Sequence, residues 1–126
     1  MGTTLAAAQQ LEAQLAAALT AAGSKARASC DPETALQAAL SHGGLLIGPP
    51  QTTYGATYGS DLATFTVTAA TTDAGGYLKA WQRLDDLLDV VAATLDVAGV
   101  TPGQLSAPTG GDPLPAFVIT LEPIDL

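Results

Sequence analysis

Residues 64–95, TFTVTAATTDAGGYLKAWQRLDDLLDVVAATL, change their hydrophobic period once. In the first part Phe65, Val67 and Ala69 alternate with Thr64, Thr66 and Thr68. That period of two puts the apolar residues on one face of a half-buried strand. Asp73-Ala-Gly-Gly then breaks the pattern, and the apolar residues resume at helical spacing. Leu78, Trp81, Leu84, Leu87, Leu88, Val91 and Leu95 cover one half of the predicted helix. Lys79, Gln82, Arg83, Asp86 and Asp89 cover the other half, and Gly99 is read as its close. A strand followed at once by a long amphipathic helix calls for a sheet with helices laid on it.

The flanks extend this reading. Downstream, TPGQLSAPTGGDPLP (101–115) reads as a long loop with at most one short edge strand, and AFVITLEPID (116–125) as a final strand. In that strand Phe117, Ile119 and Leu121 face one way, Val118 and Thr120 the other. Upstream, LLIG (45–48) is a short buried strand that pairs with DLATFTVTAAT (61–71) as a hairpin with an extended tip. Residues 3–22 form a helix whose Leu5, Leu11, Leu15 and Leu19 lie within roughly a 120° arc. Gly23 caps it. Ala26, Ala28 and Cys30 alternate as a short strand, and Asp31-Pro32 either turns the chain or opens a short helix as N-cap and first residue, which Gly43-Gly44 would stop. The expected architecture is α+β: one domain over residues 1–126, two layers, with two main helices packed on a small mixed, mainly antiparallel sheet.

Composition limits the partners. The chain has 126 residues, 48% of them hydrophobic but only 5% aromatic, so its core is small and aliphatic and leans toward oligomerisation. Twelve acidic residues against four basic ones give a net charge of −8. Lys25, Arg27, Lys79 and Arg83 are too few to neutralise a phosphate backbone or an anionic membrane. The N-terminal stretch lacks a basic region, and Gln9, Gln10, Glu12 and Gln14 interrupt it, so it reads as neither a signal peptide nor a membrane span. One cysteine allows no internal disulfide and fits a reducing cytoplasm.

Residues 44–61, GLLIGPPQTTYGATYGSD, are the most distinctive loop. Their glycines fit neither phosphate-binding spacing, no lysine is present, and the loop leads into a strand, so no helix N-terminus receives an anion. Pro49 and Pro50 remove two backbone donors and end strand pairing, while Tyr54 and Tyr58 offer large contact area with few rotors. These four residues are the candidate interface, though either tyrosine would equally fold back over its own core. Cys30 and His42 are the sole residues of their types; without an oxyanion site they read as structural rather than as a nucleophile pair. Asp85 and Asp89 stand one turn apart but lack a calcium-loop pattern, and read as a solvated face with Asp86 near Arg83. The Thr64, Thr66 and Thr68 row faces either solvent or a neighbouring copy. No catalytic, metal or cofactor site is expected.

The order of elements, with ARASCDP (26–32), LLIGPP (45–50), the strand–helix unit 64–95 and PLPAFVITLEPID (113–125), resembles the tail terminator, or tail completion, proteins of long-tailed bacteriophages, particularly those of actinobacterial phages. ETALQAALSHGG (33–44) looks inserted relative to that pattern. The resemblance implies a homohexameric ring in the virion, at the head-proximal end of the tail. Such a ring is assembled in the host cytoplasm, caps the tail tube and joins it to the neck proteins while DNA passes through. A head–tail connector or stopper would share the ring, and a small ligand-binding domain with a pocket between helix and sheet is the competing class.

Overall fold

Five strands form the main sheet in the order β1-β2-β5-β7-β6, and three more form a small second sheet, β3-β4-β8. The computed structural model describes residues 3–53, 61–72, 74–106 and 112–125. In chain order the elements are α1 (Thr3–Ala21), β1 (Arg27–Ser29), α2 (Pro32–Ser41), β2 (Gly44–Ile47), β3 (Gln51–Thr53) and β4 (Leu62–Thr64). They continue with β5 (Thr66–Ala70), α3 (Tyr77–Thr94), β6 (Val97–Leu105), β7 (Leu114–Leu121) and β8 (Ile124–Asp125). The α+β class and the mixed, mainly antiparallel sheet follow the sequence reading. Only β1 and β2 run parallel, joined by α2 as the crossover that parallel neighbours require.

Register sorts the two faces. Leu45 lies opposite Ala69, Ile47 opposite Val67, and Val67 in turn opposite Ile119. With Phe65 these side chains are buried, and α1 and α3 close over them through Leu11, Leu15, Leu19, Leu84, Leu87 and Val91. α1 ends as read: the Gly23 N–H donates to Thr20 O, the Ser24 N–H donates to Leu19 O, and Gly23 takes φ +73°. That is the paired-bond glycine cap that satisfies two terminal carbonyls.

The other face carries a third layer at one end, which the two-layer expectation lacked. Gly44, Ala70, Ala116 and Gly103 stand abreast across four strands, a row of the smallest side chains. α2 rests on this row, with Ala39 packed against Ala70 and Ala116. The fit is close enough that a Cβ on Gly44 would collide with the Ala35 carbonyl oxygen and stand 3.1 Å from Ala39 N. Of the two readings of Asp31-Pro32 the helix cap is the one observed, with the Asp31 carboxylate accepting from Glu33 N–H at 3.4 Å and from the Thr34 hydroxyl at 2.8 Å. Beyond α2 the face is half open at Leu46, Thr66, Thr68, Val118 and Thr120.

Three expectations fail for tertiary reasons. The long strand 61–71 is broken at Phe65, because Thr64 belongs to the β3-β4-β8 sheet and Thr66 to the main one. The final strand likewise divides at Glu122-Pro123 into β7 and β8, each half serving a different sheet. Gly99 does not close α3. The helix stops at Thr94, Leu95 turns extended, and residues 97–105 form a nine-residue edge strand, where the end of the helix and then a loop with at most one short edge strand were expected. β7 supplies the reason: it pairs with β6 from Val97 to Leu105, around an irregularity between Val97 and Gly99.

The backbone of that edge is partly blunted. Thr71 N–H donates to Pro115 O and Leu121 N–H donates to Phe65 O, so odd-numbered residues of β7 bond toward β5 and even-numbered ones toward β6. Gly99, Thr101 and Gly103 therefore bond inward, and Val100, Pro102 and Gln104 point their backbone groups outward. Pro102 has no N–H to offer, which interrupts any further ladder at its centre.

Candidate functional site

The first turns of α3 leave their largest apolar side chains in solvent. Tyr77 is 70% exposed, Leu78 76% and Trp81 49%, although the sequence reading put Leu78 and Trp81 in the core stripe. Ala80, Leu84, Leu87 and Val91 carry the buried stripe instead. Leu78 lies roughly 120° around the helix from Leu84 at 100° per residue, so its phase was legible. The exposure of Trp81 was not, because its angle falls near the core side. It is exposed because its ring borders an open groove above β6 and β7.

Local bonds hold this end of α3 in place. The Arg83 guanidinium donates to Thr72 O and Ala74 O, each at 3.1 Å, and Thr72 N–H donates to Ala39 O at 3.0 Å. The expected Arg83–Asp86 pairing is therefore replaced by a clamp on the loop before the helix. Tyr77 and Trp81, one turn apart, meet edge to face with centroids 6.1 Å apart and planes at 74°. Such pairs are stabilising beyond their area. Between them and the sheet runs a groove of about 550 Å³, floored by Pro102, Gln104, Pro115 and Phe117. Among the described residues, no ionisable group but the Tyr77 phenol lines it.

A second apolar surface lies at the opposite edge of the sheet. Leu5, expected in the α1 stripe, is 53% exposed, because α1 begins beyond the residues that cover Ala8, Leu11, Leu15 and Leu19. With Ile47, Pro49, Pro50 and Cys30 it borders a shallower groove of about 270 Å³. Pro49 is exposed and Pro50 half-buried, between β2 and β3. Tyr54 and Tyr58, the other two candidate interface residues, lie outside the described residues. Thr66 and Thr68 share the half-open back face, while Thr64 belongs to the small sheet.

Cys30 and His42 are kept apart. β1 and β2 run parallel with Arg27 opposite Gly44, so Cys30 stands beyond one end of the pair and His42 beyond the other. Five strand residues separate these levels, ~16 Å at 3.3 Å per residue. Burial, then the Glu12 carboxylate that hydrogen-bonds the thiol, push the Cys30 thiol from 9.0 up to about 11. The same carboxylate accepts from Cys30 N–H at 2.8 Å and ties α1 to the end of β1. A thiol held protonated in this way is a poor nucleophile. Asp85, Asp86 and Asp89 are exposed on α3, and among the described residues no three His, Cys, Asp or Glu side chains converge as metal ligands. No described helix is long and apolar enough to cross a membrane.

Family models, curated proteins and solved structures were each compared with this chain, and none matches.

Proposed function

We propose that this chain is a structural protein that closes into a homohexameric ring, of the tail-terminator type its sequence resembles, capping a phage tail tube and joining it to the neck proteins. One observation carries the proposal: two dissimilar exposed apolar surfaces lie at opposite edges of one sheet, the Tyr77–Trp81 groove beside β6 and the Leu5–Pro49–Pro50 surface beside β1 and β2. A ring needs this arrangement, since each subunit must present one surface to the neighbour on its left and a different one to the neighbour on its right. A twofold dimer would instead use one surface twice. Clustered exposed aromatics are otherwise a liability on a small monomer.

Charge is consistent with the same role. A net charge of −8 repels a phosphate backbone, so a lumen lined by this chain lets DNA slide through without holding it. The role is assembly rather than catalysis, in keeping with a cysteine held protonated and distant from the histidine. It belongs to the virion, with the tail tube below and the neck above.

Native mass spectrometry across a concentration series, with and without magnesium, tests the reading. The expected species has six times the mass of one chain, and imaging should find it on the head-proximal ends of tail tubes. A chain that stays monomeric both alone and in the presence of tail tubes overturns the proposal.

A further inference from the structure

We propose that the Tyr77–Trp81 groove of one subunit receives the Pro49–Pro50 segment of the next copy, bound as an extended proline segment between aromatic side chains. This rests on the ring reading and deepens it by naming what the two edges do to each other.

The groove's chemistry selects its occupant. Tyr77 and Trp81 form one wall, and Pro102, Pro115 and Phe117 form the floor. Neither the indole N–H of Trp81 nor the hydroxyl of Tyr77 has a hydrogen-bond partner among the described residues. Two donors set in an apolar, aromatic-walled trough fit a segment that presents flat apolar rings and backbone carbonyls while needing few acceptors in return. An extended proline pair is such a segment, because proline has no N–H and its rings pack on aromatic faces. The open strand edge beside the groove does not compete for it, since Pro102 interrupts the outward ladder.

Charge identifies the source. A contact between two copies of a chain carrying −8 must run through neutral surface to avoid mutual repulsion. Residues 43–60 are the longest stretch of the chain without Asp, Glu, Lys, Arg or His, and Pro49 and Pro50 sit within it. Pro49 is exposed. The proline pair and the groove lie beside opposite edge strands of the same sheet, so a chain cannot fill its own groove, but a neighbour can. Repeating that contact passes from edge to edge, as a closed ring requires.

Trp81 is the only tryptophan in the chain, so it reports the contact directly. The full chain is diluted through its assembly range while native mass spectrometry follows its mass and fluorescence follows Trp81. Assembly should shift the emission to the blue as the indole leaves water. Pro49→Asp should raise the dissociation constant about tenfold or more. Pro49 lies in solvent between strands, so this variant should keep the melting temperature of the parent. Tyr77→Ala, on the other side of the contact, should weaken assembly in the same direction. An oligomer that forms with unchanged Trp81 emission, or that tolerates both substitutions, overturns this seat and leaves the ring reading standing. A chain that remains monomeric throughout overturns both.

Discussion

The two helices of the front layer differ in what they cover. α1 lies along β1 and β2 and buries Ala8, Leu11, Leu15 and Leu19, leaving only its first leucine, Leu5, largely in solvent. α3 lies over β5 and β7, buries Ala80, Leu84, Leu87 and Val91, and leaves Tyr77, Leu78 and Trp81 outside. Both read in sequence as amphipathic stripes. An apolar stripe records which side of a helix prefers not to face water. It does not record how closely the helix packs on the sheet beneath, and the start of α3 stands off it across a groove where α1 leaves only Leu5 uncovered.

The largest effect is expected where the comparison is sharpest. Leu15→Ala empties a fully buried site under α1 and should cost about 3 kcal/mol in urea unfolding. A cost close to zero would mean that the α1 seam is as open as the start of α3. The α1 end can also be probed chemically through Cys30. Its folded pKa is raised, so its contribution favours folding below pH 9, and that contribution is lost as pH climbs toward 11. At pH 8 the folded chain should alkylate roughly 100-fold more slowly than the unfolded one, and Glu12→Gln should recover part of the rate. Equal rates would show that Glu12 does not seal that end.

Smaller effects mark the boundary between closed and open. The buried Thr71 hydroxyl, just after β5, has no hydrogen-bond partner among the described residues. Thr71→Val removes an uncompensated polar group at constant shape and should raise stability by about 1 kcal/mol, read as a higher urea midpoint at unchanged slope. Leu78→Gln should change monomer stability by no more than about 0.5 kcal/mol. A loss comparable to that of Leu15→Ala would place Leu78 in a packed core and erase the contrast.

Much of the fold was legible. The Asp31 cap, the Gly23 cap, the Phe65–Val67–Ala69 face and the pairing of β2 with β5 follow from local chemistry that a few neighbouring residues carry whole. β6 was not, because LDVAGVTPGQL (95–105) has weak preferences of its own, with glycine and proline at its centre. It becomes a strand through β7, whose even-numbered backbone groups are turned toward it. Of the candidate interface, Pro49 and Pro50 were read from the loss of two backbone donors, whereas the Tyr77–Trp81 groove was missed because a tryptophan at helical spacing reads as core.

By itself the sequence determined the α+β class, the two main helices, the caps and the faces of the central strands, all set by interactions among residues close in the chain. Tertiary structure alone decided where α3 ends, which face α2 covers, and which parts of the apolar stripes stay in water. Those outcomes depend on which strand lies beside which and on how closely each helix packs on the sheet. That is a property of pairing between distant segments, and no short window of sequence contains it.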